Sequence, residues 1–122
     1  MDRFTLWRYS SNRNCWDFVR EFLIEKTSIP AGDLPKFGVL PSDKRGMTKA
    51  ASGVIVSLRE TEPVDYSIAC QYLGDVLYHV GVVLDGMVNH VGEKCGSVRE
   101  PIKSFENFGK VKYFTHEAVW PR

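Results

Sequence analysis

The sequence predicts an α+β domain: N-terminal helices packed on an antiparallel β-sheet. Three observations predict it. Cys15, Phe18, Val19, Phe22 and Leu23 recur at the i, i+3, i+4, i+7, i+8 spacing of a core-facing helix. From Tyr66 onward the apolar pattern changes to alternation with period two. Asp85-Gly86 then sits between apolar, alternating flanks, a hairpin signal because a type I′ turn needs positive φ at both central residues. Helices first and strands second is the segregation of α+β domains.

In chain order, Phe4–Ser10 reads as a short extended segment entering the domain. The polar run from Ser10 to Asn14 offers caps, and Asn14 or Asn12 serves as N-cap for a helix over Cys15–Lys26. Pro30, Gly32, Pro35, Gly38 and Pro41 mark an irregular connection. Ser42 opens a second helix over residues 42–60, weakened by Gly46 and Gly53. Residues 65–73 read as a strand, followed by the hairpin and by a strand over residues 96–102. Residues 102–109 read as a helical turn, and residues 110–119 as a last strand.

With Asp85 and Gly86 as the loop, Leu84 faces Met87, Gly81 faces His90 and His79 faces Gly92. Tyr78, Val80, Val82 and Leu84 share an apolar face suited to a core, while His79, Gly81 and Val83 share the other. His90 joins the His79 face as a diagonal neighbour, about 7 Å away between Cβ atoms. Gly81 leaves space beside both rings. A slip of one residue would separate them.

The chain has 122 residues, 43% of them hydrophobic and 25% charged, which bounds the reading to a single globular domain over 1–122. A net charge of +1 without a long Lys/Arg run argues against a nucleic-acid binder. No apolar run is long enough for a membrane span, and the N-terminus carries no signal-peptide pattern. Cys15, Cys70 and Cys95 form neither a disulfide framework nor a zinc pattern, so no metal and no cofactor is expected.

Cys15 lies in the first turn of its helix. The partial positive charge and unpaired N–H groups there favour a thiolate and can hold a developing oxyanion. A nucleophile needs a base, and the hairpin supplies two histidines. The competing reading of Cys15 is a small buried hydrophobe on the helix stripe. Cys70 reads as core and Cys95 as a turn residue. His116 reads as a surface or strand-end residue, and Trp7, Trp16 and Trp120 as core or edge aromatics.

Together these signals resemble the NlpC-type cysteine peptidases, papain-like cell-wall endopeptidases of bacteria and phages. "NCWDFV" is similar to the family's Asp-Cys-Ser-Gly-Leu-Val helix start. "HVGVVLDGMVNHVG" is similar to its His-Val-Gly-Ile-Tyr-Leu-Gly-Asp-Gly ribbon ending in a histidine. "EPVDYSIAC" resembles the Pro-Gly-Asp-Leu-Val strand before that ribbon. The resemblance implies a papain-like fold, Cys15 as nucleophile, His79 as general base and His90 as the residue orienting it. It further implies backbone N–H groups near Cys15 in an oxyanion hole, with Tyr9 as a helper, and a peptidoglycan stem peptide as substrate. Asn14 replaces the family's Asp, Trp16-Asp17 its Ser-Gly pair, and Val64 its strand Gly. A bulky Trp16 would narrow the substrate site. The absence of a leader and of wall-binding repeats suggests delivery by a phage particle or a secretion system. Two alternatives stay open: a thioester-forming acyltransferase, and a structural or assembly module such as a phage tail component.

Overall fold

The structure, a computed structural model, describes residues 2–120. Two helices come first, α1 (Cys15–Lys26) and α2 (Lys44–Ile55). Six strands follow: β1 (Arg59–Thr61), β2 (Ile68–Leu73), β3 (Val76–Leu84), β4 (Met87–Gly92), β5 (Gly96–Pro101) and β6 (Lys110–Thr115). A single-turn helix, α3 (Ile102–Phe105), lies between β5 and β6. The strands form one sheet in the order β1-β6-β2-β3-β4-β5, and every pairing is antiparallel. The expected α+β class and antiparallel sheet are therefore present.

α1 starts where its cap is. Asn14 Oδ1 accepts from the N–H groups of Trp16 (3.0 Å) and Asp17 (3.3 Å), and Asp17 Oδ2 accepts from the Asn14 N–H (3.0 Å). This reciprocal box satisfies donors that no helical carbonyl can reach. Its apolar stripe then buries Phe18, Val19, Phe22 and Leu23 against the sheet.

The principal core lies between these helices and the sheet. Met47, Ala51 and Val54 of α2 meet Ile68 and Cys70 of β2, Val80 and Val82 of β3, and Val91 of β4. A smaller cluster covers the opposite face, where Phe105 of α3 packs on Ala69, Val83, Val88 and Tyr113. Each of these large side chains contributes on the order of 1.5–3 kcal/mol by leaving water.

The hairpin has the expected register. Asp85 (φ 54°) and Gly86 (φ 75°) form its turn, Leu84 lies opposite Met87 and Val82 opposite Asn89. One facing is different. Gln71 pairs with His79 and Tyr72 with Leu77, so Tyr78 is an extra, bulged residue on β3. Leu77 takes the core position expected of Tyr78, which is 47% exposed.

Three boundaries also differ. Phe4–Ser10 is not a strand; Phe4–Leu6 lie in a turn, Ser10 makes an isolated bridge to Arg13, and Trp7 between them stands edge-on to Phe18 with its Nε1 donating to the Arg13 carbonyl at 3.0 Å. Asp43, not Ser42, caps α2 by accepting from the Gly46 N–H at 2.9 Å, and the helix ends at Ile55 so that residues 59–61 can pair with β6. The last strand stops at Thr115, because His116 Nδ1 accepts from the Ala118 N–H at 3.0 Å and starts a 3-10 turn.

Candidate active site

β3 and β4 bring the two hairpin histidines into contact. His79 Nε2 and His90 Nδ1 are 2.9 Å apart, with the rings nearly perpendicular at 79°. Both rings rest on Phe105, at centroid distances of 6.2 Å from His79 and 5.2 Å from His90. Gly81 makes this approach possible: a Cβ there would lie 2.6 Å from Val88 Cγ1 and 3.2 Å from His90 Cβ.

Cys15 is the first residue of α1 and is 3% exposed. It belongs to the helix-side core with Val80 and Cys70, whereas the histidine rings belong to the Phe105 side. The two layers meet at β3. The backbone N–H of Val80, next to His79, lies close enough to the Cys15 thiol to favour its thiolate form. Among the described residues no hydrogen bond joins Cys15 Sγ to either imidazole, and His79 Nδ1 is left without a partner. The structure thus joins His79 to His90, and brings Cys15 to the strand backbone one residue beyond His79.

The electrostatics differ from the expectation for a helix N-terminus. Burial pushes the Cys15 thiol up, and this outweighs the opposing Val80 N–H, the Lys44 charge and the Trp16 N–H. Burial also lowers His79 to about 3, with the neighbouring His90 and Lys44 acting the same way. At neutral pH both groups are uncharged, so this is no preformed thiolate–imidazolium pair. His90 is lowered by burial too, against the opposing effect of Glu100.

The flanking residues take definite positions. Asn14 is the helix cap. It occupies the Trp16 and Asp17 N–H groups, while the Asn14 carbonyl takes that of Phe18 at 3.0 Å. The expected oxyanion donors of the first turn are therefore mostly committed, and Cys15's own N–H is the one free among the described residues. Trp16 turns inward, 3% exposed, stacked on Phe37 at 4.4 Å and donating from Nε1 to the Pro35 carbonyl at 2.8 Å. It shapes a cavity of about 330 Å³ with Asn14, Asp17, Phe37 and Met47. Tyr9 is half-buried, and its hydroxyl is raised by burial and by nearby Cys15. It borders an open cleft of about 560 Å³ with Ser42, Lys44, Tyr78 and Glu93. Lys44 donates to the Tyr78 carbonyl at 3.1 Å. Neither space is lined by Cys15 or the histidines.

His116 lies apart, its Nε2 2.9 Å from Asp33 Oδ2; Cys70 is buried and Cys95 exposed. Two residues escaped the reading of the sequence. Lys44 comes from the second helix, at no motif-like spacing from Cys15. Glu100 lies on β5, and Val88–Glu100 and His90–Val98 pairing puts it on the histidine face. Extending the alternation across the Gly92–Gly96 loop would have found it.

Among the described residues no helix is long and apolar enough to cross a membrane, and no group of three or more His, Cys, Asp or Glu side chains is arranged to hold a metal ion. In comparisons with known proteins, no family model, no curated protein and no solved structure matches this chain.

Proposed function

We propose that this chain is a cysteine peptidase or amidase on a papain-like scaffold of NlpC type, acting on peptide amides, with peptidoglycan stem peptides as the first substrate class. The observation that carries the reading is the 2.9 Å His79–His90 contact on the strand whose Val80 backbone meets the thiol at the start of α1. Nucleophilic catalysis needs a base, oriented by a second polar group, in reach of the thiol; here the strand that carries the oriented His79 also borders a cysteine at a helix N-terminus.

In this reading the neutral pair acts by general-base catalysis. His79 Nδ1 takes the thiol proton as Sγ attacks the amide carbonyl carbon. The oxyanion is met by the Cys15 N–H, with the Tyr9 hydroxyl beside it. The C–N bond breaks as the imidazolium returns the proton to the leaving amine, which leaves a thioester. Water, deprotonated by His79, then attacks the thioester and releases the acid and the thiol.

The test is incubation with purified peptidoglycan and with free stem peptides, followed by mass spectrometry. New peptide amines and carboxylates are expected from the wild type. Cys15→Ala should abolish them, and His79→Ala should slow them by about 10²–10⁴-fold. Products that persist in Cys15→Ala would remove the reading. An added amine that becomes acylated would mark transfer instead of hydrolysis.

One observation favours a second reading, a structural or assembly module on the same scaffold. The thiol is 3% exposed and lines neither the cavity beside Trp16 nor the cleft beside Tyr9. In that case Cys15 is a core residue, and the wild type releases nothing.

A further inference from the structure

His90 Nε2 is buried and makes no hydrogen bond among the described residues. An orphaned buried ring nitrogen is costly, and it asks what it faces. It faces Glu100, whose Oε1 lies 3.8 Å away across the β4–β5 pairing. The other nitrogen of the same ring is the one in contact with His79. Glu100, His90 and His79 therefore form a line across three strands.

We propose that Glu100 is a positioning residue that selects the tautomer of both histidines, and so decides which nitrogen of His79 is a base. When both rings are neutral, the shared 2.9 Å contact holds one hydrogen, carried either by His79 Nε2 or by His90 Nδ1. If His90 Nδ1 carries it, His90 Nε2 is bare and turns a lone pair toward a carboxylate. If His90 Nε2 carries a hydrogen instead, it points that N–H at the carboxylate, and its Nδ1 must accept from His79 Nε2–H. His79 Nδ1 is then left with a free lone pair. Only the second arrangement is electrostatically favourable beside an ionised Glu100. Only that arrangement leaves His79 able to take a proton from a thiol. When it does, the imidazolium of His79 faces a neutral acceptor in His90, backed by a negative charge.

The inference uses the proposed catalysis for its purpose, but its test reads the histidines directly. The 122-residue chain is labelled with ¹⁵N at histidine, and ring nitrogens are assigned by NMR near neutral pH. The expected result is the same tautomer for both rings: protonated Nε2 and bare Nδ1 on His79 and on His90. Glu100→Gln should mix in the opposite tautomer and slow alkylation of Cys15 by about tenfold or more; Glu100→Asp should restore part of both. Protonated Nδ1 on either ring of the wild type would overturn the proposal. So would ring signals that do not change in Glu100→Gln. If no peptidase activity exists but the tautomers and their response to Glu100→Gln are as stated, the catalytic reading fails and the assignment of Glu100 stands.

Discussion

His79 refuses a proton for three reasons that act together: burial, the adjacent His90 ring and the Lys44 charge. Its folded value of about 3 lies far below the ordinary histidine value of about 6.5, so an unfolded chain binds a proton that the folded chain does not. Stability must then fall as pH drops from about 6.5 toward 3, by at most about 1.4 kcal/mol per pH unit from this group. Denaturant midpoints measured between about pH 7 and pH 4.5 check this. The wild type should lose stability more steeply than His79→Gln, in which the titrating group is gone; parallel curves would contradict the lowered value. Cys15 offers a contrast in what could be read beforehand. Its place at the helix start was readable from Asn14 and the stripe that follows. Its charge state was not, because desolvation depends on what covers the thiol, and that is supplied by β2 and β3, more than 50 residues away in the chain.

The β3–β4 hairpin was the most readable element, because each step of its geometry is local. Asp85-Gly86 sets the turn, the turn sets the register, and the register sets the faces. The one departure, Tyr78, comes from a bulge against β2, a partner that the hairpin's own residues do not specify. The same logic explains α2, whose end is decided by the pairing of residues 59–61 with β6 and not by its own sequence. Gly81 is where the hairpin and the site coincide. Gly81→Ala would press a Cβ to 2.6 Å from Val88 Cγ1 and 3.0 Å from the Asn89 carbonyl oxygen, and a paired backbone yields little. We expect a loss of about 1–3 kcal/mol in denaturant unfolding, as for other overpacked positions. The expected companion effect is a weakened His79–His90 contact, visible in the histidine ring signals. A neutral substitution would mean that the two strands part more easily than their pairing suggests.

The sheet places chemistry on both of its faces. α1 and α2 cover one side and carry Cys15; α3 covers the other and supports the histidines through Phe105. The candidate site depends on the strand between them, at His79 and Val80. That is why it was only half readable. Alternation within one hairpin gives the histidine pair, but the approach of a helix N-terminus to a strand is a matter of tertiary packing. Glu100 needed a third strand.

The decisive measurement compares the thiols of the folded chain under limiting iodoacetamide, mapped by mass spectrometry from about pH 5 to about pH 9. Cys15 and Cys70 are nearly equally buried, at 3% and 1% exposure, so burial alone gives them similar rates, and exposed Cys95 serves as the surface reference. If His79 serves the thiol as a base, Cys15 should label about tenfold or more faster than Cys70 near neutral pH, and His79→Ala should remove that advantage. If Cys15 labels no faster than Cys70, or keeps its rate without His79, the thiol is a core side chain and the cysteine–histidine account is wrong.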